Sequence, residues 1–167
     1  MAKRRERRSP PPGEFEDPLE NYSTPEFEDP FEQSLCTDGV TVMRTEPACQ
    51  VTGDTPVRRV VELMVENNIG GVVITEDGKV VGIFSERDVL NRVADDFKTM
   101  EDKPVREVMT EDPSVVYRTD TPARAMNLMV TGGFRHVPVV DPDHRLVGIL
   151  GPRRVMDYFQ QHFPEIS

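Results

Sequence analysis

The feature that most constrains this chain is an internal repeat with a period of 66 residues. Three pairs of short segments share that offset: Val42-Met43 with Val108-Met109, Asp54-Thr55-Pro56 with Asp120-Thr121-Pro122, and Gly82-Ile83 with Gly148-Ile149. Self-similarity at a fixed period means that the chain forms one structural unit twice. Because a unit of about 55 residues buries too little apolar surface to be stable alone, we expect the two copies to pack together about a pseudo-two-fold axis.

Each copy carries the same succession of secondary-structure signals. A short extended stretch leads to Thr-Pro, in which the threonine is a favourable N-cap and the proline suits the first helical position. Apolar residues then recur at helical spacing, two β-branched strands follow across a polar turn, and an amphipathic helix closes the unit. The paired strands are predicted at 72–75 and 80–84, and again at 137–140 and 146–150. The sequence therefore predicts an α+β fold of two β-α-β-β-α repeats.

Composition divides the chain into four segments. Residues 1–38 contain ten acidic and five basic side chains, so they supply half of the net charge of −10. Their polar, proline-rich character is typical of a disordered or surface-docked extension. Residues 39–95 are predicted to form the first repeat, 96–106 a charged linker, and 107–167 the second repeat.

The acidic extension contains a short motif twice, at a spacing of 12 residues. The copies are Glu14-Phe15-Glu16-Asp17-Pro18-Leu19-Glu20-Asn21 and Glu26-Phe27-Glu28-Asp29-Pro30-Phe31-Glu32-Gln33. One interpretation is a solvated acidic leader. The other is a tandem motif that lies across a surface of this protein or of a partner, because apolar side chains left in water would otherwise be unexplained.

Several functional classes are disfavoured by composition. An acidic chain without a basic stripe does not resemble a nucleic-acid-binding protein. Cys36 and Cys49, with three histidines, give neither a disulfide framework nor a metal-ligand spacing, which favours a reducing cytoplasm. No apolar run approaches the roughly 20 residues of a membrane span. No set of nucleophile, base and orienting residue is evident, so no enzymatic activity is predicted.

The junction of the second predicted strand with the following helix is the candidate site. Unpaired N–H groups and the helix dipole attract anions at such a junction. Ser85 adds a hydroxyl, and the Asp88 carboxylate can accept two hydrogen bonds from a vicinal diol such as a ribose. The same spacing also fits a capping box, in which both side chains only satisfy the N–H groups of their own helix. Both interpretations remain open at the level of sequence.

In the second repeat the equivalent junction is altered. Gly151 replaces the hydroxyl and Arg154 replaces the carboxylate, and a guanidinium cannot accept hydrogen bonds from a diol. The sequence does not predict a second site of the same chemistry, and a helix start formed by backbone groups is the favoured interpretation. Arg135 and His136 stand where the first repeat has two glycines, before a strand expected to line the shared cleft. They are candidates for phosphate contacts, as is Arg87, although a solvated strand end is the alternative.

These residues together resemble a tandem pair of cystathionine-β-synthase-type (CBS) domains, also called a Bateman module, over residues 41–163. The markers are Asp-Thr-Pro before each first helix, the segment from Gly82 to Asp88, and the segment from Arg135 to Val140. The resemblance implies a non-catalytic regulatory module that needs no cofactor, binds adenosine-containing ligands and often forms flat, disc-like dimers.

The resemblance also implies roles for particular residues. Asp88 would hold the ribose hydroxyls, and Ser85 with the N–H groups after it would hold a phosphate. Backbone and apolar groups around Cys49 to Val51 and around Val72 would enclose the adenine, and Ile83 would line the same site.

Two functions follow from this reading of the chain. The first is a sensor that binds an adenine nucleotide of the AMP, ADP or ATP type. The alternative is a ligand-free dimerisation or adaptor module that recruits an unidentified protein partner through the acidic-aromatic motifs. A homodimer is expected in either case, because the helical apolar stripes exceed what one cleft can bury. The candidates for its interface or for the core are Val57, Val61, Met64, Met126 and Met156.

Overall fold

The computed structural model describes residues 26–45 and 48–165. The helices are α1 (Pro30–Thr37), α2 (Val57–Glu66), α3 (Glu86–Asp88), α4 (Phe97–Met100), α5 (Pro122–Gly132) and α6 (Pro152–His162). The strands are β1 (Gln50–Val51), β2 (Gly71–Glu76), β3 (Lys79–Ser85), β4 (Thr110–Glu111), β5 (Val116–Tyr117), β6 (Val137–Val140) and β7 (Leu146–Leu150). Between α3 and α4 the chain passes through a π-helical turn (Val89–Val93) and a 3₁₀ turn (Ala94–Asp96), and further 3₁₀ turns lie at Val40–Met43 and Val105–Glu107.

The two sheets confirm the predicted α+β fold of two β-α-β-β-α repeats. In the first sheet β1 pairs parallel with β2, which pairs antiparallel with β3. In the second sheet β5 pairs parallel with β6, which pairs antiparallel with β7. The first sheet has a fourth strand, β4, which pairs antiparallel with β3. In each repeat a helix therefore connects two parallel strands and a tight turn connects the antiparallel pair.

The start of the first helix differs between the repeats. In the second repeat, Thr121 caps α5 as predicted, because its hydroxyl accepts from the Arg124 N–H at 3.3 Å. In the first repeat the prediction of a Thr55 cap is wrong, since Pro56 is the N-cap and no side chain bonds to the first turn. There the Val57 N–H donates to the Lys103 carbonyl at 2.9 Å, so a backbone group satisfies the helix start.

That contact is part of an exchange between the repeats. The chain between the first sheet and β5 contains α4 and β4, and Thr110 of β4 lies opposite Ile83 in the first sheet. The segment that leads into the first repeat does the reverse, because the Ile149 N–H donates to the Thr45 carbonyl at 2.9 Å. Each sheet is thus extended by a segment that comes before the first strand of the other sheet.

Helix α1 contains the second copy of the acidic-aromatic motif and packs on the second repeat. Asp29 caps the helix by accepting from the Glu32 N–H at 2.8 Å. The Tyr158 hydroxyl donates to Ser34 Oγ at 2.8 Å. The Phe31 ring has its centroid 4.9 to 5.8 Å from the rings of Tyr158, Phe159, His162 and Phe163. The first copy, 14–21, lies outside the described residues.

Within the described residues, three apolar clusters form the core. The first repeat has a core around Val60, Val72 and Phe84, and the second has one around Val139 and Tyr158. A third cluster, built on Val73, Val80 and Val140, lies between the two sheets and joins the repeats. This packing brings both strand-to-helix junctions to the region where the repeats meet. In the part of the chain that the structure describes, no helix combines the length and apolar character needed to cross a membrane.

Candidate functional site

A cleft of about 330 Å³ lies at the strand-to-helix junction of the first repeat. Its volume is within the range of small-molecule sites. We call it the first cleft, and its lining residues are Gly70, Ile83, Ser85, Glu86, Arg87, Asp88, Leu90, Thr110, Phe134, Arg135 and His136. Six of the eight residues expected from the sequence are among them. The structure thus brings the Ser85 junction of one repeat and the Arg-His pair of the other to a single cavity.

Asp88 is the most constrained polar residue of the first cleft. The residue is 5% exposed, and its Oδ2 accepts from the Ser85 N–H at 2.9 Å and from Ser85 Oγ at 2.7 Å. Oδ1 accepts from Thr110 Oγ1 at 2.9 Å and lies 3.6 Å from Arg92 Nη1. The capping interactions are therefore present. Because an ionised carboxylate has about four acceptor positions, Oδ1 retains capacity for a hydroxyl of a ligand.

Residues around the first cleft that sequence reasoning missed come from three places. Thr110 belongs to β4 and reaches Asp88 only because the chain before the second repeat crosses to the first sheet. Leu90 follows the junction and is 70% exposed, and Phe134 precedes the Arg-His pair and is 37% exposed. For Leu90 and Phe134 the available signal was a large apolar side chain close to the predicted site, since exposed apolar side chains at a cleft indicate a binding surface.

The charges of the first cleft are balanced. Arg87 and Arg135 supply two guanidinium groups, and Glu86 and Asp88 supply two carboxylates. Arg87 crosses between the repeats, because its Nη2 donates to the carbonyl of Gly133 at 3.0 Å. Glu86 is exposed at the rim of the cleft, and its N–H donates to the Gly70 carbonyl at 3.1 Å.

Val51 and Val72 occupy positions outside the lining of the first cleft. Val72 is fully buried in the core of the first repeat, and Val51 packs against that core. The apolar lining of the first cleft consists instead of Ile83, Leu90 and Phe134.

A second cleft of about 390 Å³ lies at the equivalent junction of the second repeat. Its lining residues are Cys49, Asn67, Asn68, Ile69, Gly70, Gly71, His136, Ile149, Gly151, Pro152, Arg153, Arg154 and Asp157. Gly70 and His136 line both clefts. The two cavities are therefore neighbours that share one wall.

The shared wall is formed by the His136 ring. A Cβ added at Gly70 would lie 2.6 Å from His136 Cε1, and one at Gly151 would lie 3.0 Å from Cδ2. His136 Nδ1 is buried without a hydrogen-bond partner among the described residues. Burial lowers the pKa of His136 below its usual value of 6.5, an effect that Glu86 opposes and Arg135 reinforces. Burial of a ring without a partner favours its neutral form.

Comparisons with known proteins agree with this architecture. A family model for the CBS domain matches residues 39–95 and 105–161. An uncharacterised protein of Acidianus ambivalens is 36% identical over 92 residues, which are 54% of each chain. The chain spans about half or less of the length of the first curated relatives that it matches.

Two solved structures share the fold over most of their length. A CBS domain protein from Pyrobaculum aerophilum, complexed with AMP, is 28% identical, with a TM-score of 0.63 over 70% of this chain and 88% of its own. A CBS-domain-containing protein from Agrobacterium tumefaciens is 30% identical, with a TM-score of 0.64 over 71% of this chain and 97% of its own. The repeat seen in the sequence is thus the repeat that the family model matches twice.

Proposed function

The chain belongs to the CBS domain family, with two copies in tandem, and we propose that it is a regulatory module that binds an adenosine-containing ligand in the first cleft. The observation that carries this proposal is the convergence of Ser85, Asp88 and Arg135 on one cavity, although they come from different repeats. Carboxylate, hydroxyl and guanidinium groups are the chemistry that a ribose phosphate requires.

The ribose is proposed to bind at Asp88. Oδ1 faces Thr110 and a distant Arg92, whereas Oδ2 is already engaged twice by Ser85. A vicinal diol would therefore donate to Oδ1 first and compete with Thr110. Hydrogen bonds to a charged acceptor contribute about 1.5–3 kcal/mol each, which is enough to orient a sugar.

The phosphate is proposed to lie between Ser85 and Arg135. The Glu86 N–H donates to the Gly70 carbonyl and the Ser85 hydroxyl donates to Asp88 Oδ2, so the guanidinium groups of Arg135 and Arg87 are the main available donors. The Ser85 hydroxyl would join them by turning from Asp88 to the phosphate. Arg87 already donates to Gly133 through Nη2, which anchors its guanidinium beside the cleft. A phosphate at this position would thus link the two repeats.

The adenine is proposed to pack against Leu90 and Phe134, with Ile83 beneath it. Leu90 and Phe134 retain exposed apolar surface, which a flat ring covers at little entropic cost. Val51 and Val72 would support this surface from the core rather than touch the base. The AMP complex of the Pyrobaculum aerophilum protein, at 28% identity, supports an adenosine-type ligand.

We also propose a non-catalytic, cytoplasmic homodimer. Val57 and Met64 are buried in the core of the first repeat, so they are not interface residues. Met156 is 62% exposed, and Val65 and Val130 add further exposed apolar surface. These side chains are the candidates for an interface between two copies. Light scattering that gives the mass of a monomer at micromolar concentration would contradict the dimer.

The adaptor alternative is less well supported. In the described copy of the acidic-aromatic motif, Phe31 is packed among aromatic rings of the same chain. A partner that recruited this copy would first have to displace those contacts. The described copy of the motif therefore stabilises the second repeat, and partner binding through it would require the loss of that packing.

The proposed function is tested by calorimetry with adenosine, AMP, ADP and ATP. One ligand per chain in the first cleft is expected, with the nucleotide raising the melting temperature by mass action. Mass spectrometry of the protein purified under non-denaturing conditions would identify a ligand that co-purifies. No binding and no shift in melting at millimolar concentrations of any of the four would refute the proposal.

A further inference from the structure

The second cleft differs from the first in its charge. Its charged side chains are Arg153, Arg154 and Asp157, so two guanidinium groups face one carboxylate. In the first cleft two carboxylates balance two guanidinium groups. The second cleft therefore carries an excess of positive charge within a cavity, where low-dielectric walls strengthen its field.

The positive charge of the second cleft is only partly compensated. Asp157 Oδ2 lies 3.8 Å from Arg154 Nη1, beyond hydrogen-bond distance. The side chain of Arg153 has neither an ion pair nor a hydrogen bond to any residue in 26–45 or 48–165. Both guanidinium groups thus retain donors for a ligand, and their planar fork suits the oxygens of a phosphate.

Three uncharged features of the second cleft also favour an anion. Gly151 caps the 11-residue helix α6 without a side chain. Pro152 has no N–H and the Arg154 N–H donates to the Gly151 carbonyl at 3.0 Å, so the N–H of Arg153 is the first-turn donor that an anion could use. In the first repeat the corresponding turn is closed by Ser85 and Asp88. Asn67 and Asn68 add amide groups to the lining, although Asn67 Nδ2 already donates to the Leu63 carbonyl at 2.8 Å. The helix dipole adds to the attraction.

The second cleft also lacks what a nucleoside needs. The one carboxylate in its lining, Asp157, is next to Arg154 rather than at the position that Asp88 has in the first repeat. A guanidinium cannot accept from a diol. We propose that the second cleft is an oxyanion site that binds phosphate groups, in particular two adjacent ones, through Arg153, Arg154 and the start of α6, and that it does not bind a second nucleoside.

Two sources could supply such phosphates. One is free pyrophosphate or a similar inorganic polyanion. The other is the phosphate chain of a nucleotide whose nucleoside lies in the first cleft, because His136 and Gly70 line both cavities. The chemistry at Arg153 and Arg154 is the same in both cases.

The test is isothermal calorimetry of the full chain with inorganic pyrophosphate. We expect one pyrophosphate per chain, and the double variant Arg153→Gln/Arg154→Gln should weaken binding by at least about tenfold through the loss of charge-assisted hydrogen bonds. Lys98→Gln is the control for a general loss of positive charge, since Lys98 lies in α4 and lines neither cleft.

Three results would overturn the proposal. They are no binding of pyrophosphate at millimolar concentration, an equal loss in Lys98→Gln, and a loss in the Ser85→Ala variant without a loss in the double variant. If the double variant does not fold, the single Arg153→Gln variant removes a side chain without a described partner and serves in its place.

The same variants distinguish the two sources. If the phosphate chain of a nucleotide enters the second cleft, the double variant should lose affinity for ATP and keep its affinity for AMP. If free polyanions bind, both nucleotides should keep their affinity while pyrophosphate loses it. A wild-type protein that binds pyrophosphate but none of adenosine, AMP, ADP and ATP would refute the proposed function of the first cleft and leave this inference standing.

Discussion

The two strand-to-helix junctions have corresponding positions in the repeats and opposite chemistry. In the first repeat the junction ends in a buried carboxylate, Asp88, and the chain continues through a π turn whose Arg92 donates to the carbonyls of Val108 and Met109. In the second repeat the junction has Gly151 and Arg154, and α6 continues regularly for 11 residues. The comparison teaches that a duplicated backbone positions two cavities, while a few side chains decide what each can hold.

The chain segments that complete the repeats differ in a similar way. Helix α4 lies within the connection between the repeats and packs on the first core through Phe97. Helix α1 precedes both repeats and packs on the second core through Phe31. The position of α1 on the second repeat is fixed by contacts such as those of the Phe31 ring.

The largest effect is expected for Phe31→Ala. The variant removes a ring that contacts four aromatic side chains of the second repeat, and it should lower the free energy of unfolding by about 2–4 kcal/mol. Chemical denaturation measured by circular dichroism checks this value.

Leu19→Ala is the matched control for Phe31→Ala, because Leu19 has the position of Phe31 in the first copy of the motif. It should leave the free energy of unfolding unchanged if only the second copy stabilises the fold. A Phe31→Ala protein as stable as wild type would show that α1 is not part of the second repeat.

The next largest effect is expected for Asp88→Ala on nucleotide affinity. Loss of the acceptor for the ribose should raise the dissociation constant of AMP at least tenfold and up to about a hundredfold, which is about 1.4–2.7 kcal/mol. The variant should also be less stable than wild type, because Ser85 and Thr110 lose a buried acceptor. Calorimetry with AMP at a temperature well below the melting point separates the two effects.

Arg154→Ala is the control for Asp88→Ala, since the two residues have corresponding positions in the repeats. It should leave the affinity for AMP unchanged. An Asp88→Ala protein that melts lower but binds AMP like wild type would limit Asp88 to its capping role.

A third effect concerns the wall between the clefts. Gly70→Ala would place a Cβ 2.6 Å from His136 Cε1, so the variant should be less stable by about 1–3 kcal/mol. Gly151→Ala would place its Cβ at 3.0 Å from the same ring and should cost less. Thermal melting of both variants measures the difference.

The origin of the Gly70→Ala effect is tested by a double-mutant cycle with His136→Ala. If the clash with the imidazole is the cause, Gly70→Ala should cost little in the His136→Ala background. Equal costs in both backgrounds would assign the effect to the backbone of Gly70 instead.

The fold was predictable because its signals are periodic. The 66-residue repeat, the Thr-Pro helix starts and the β-branched strand pairs are properties of neighbouring residues, and they define the two units without any tertiary information. The Thr55 cap failed because α2 receives its first-turn acceptor from Lys103, a contact between distant parts of the chain. No local pattern contains that information.

The candidate site was predictable to the same extent. Ser85 and Asp88 lie in one motif, and Arg135 and His136 are visible as the pair that replaces two glycines. Thr110 was missed because the crossing of β4 to the first sheet is a tertiary event. Val51 and Val72 were expected at the cleft but belong to the core of the first repeat. The position of a residue in a strand does not show which face of the sheet packs on the helix and which lines the cavity.

The smallest effect is expected from the pH dependence of His136. Burial places its folded-state pKa below the value of 6.5 that it has in the unfolded chain. Between these two values the unfolded chain binds more protons, so stability should fall as pH falls from about 6.5 through the folded-state pKa.

Urea midpoints at several pH values between 7.5 and 5 should fall more steeply for wild type than for His136→Asn, which cannot be protonated. The charged groups that face the ring define a control: Glu86 raises this pKa and Arg135 lowers it, so Glu86→Gln should move the decline to lower pH. Pyrophosphate in the second cleft should make the decline smaller if it reaches the shared wall, because an adjacent anion favours the imidazolium and brings the folded-state pKa closer to 6.5. Equal slopes for wild type and His136→Asn would show that the wall is accessible to water, and the two clefts would then behave as one solvent-filled groove.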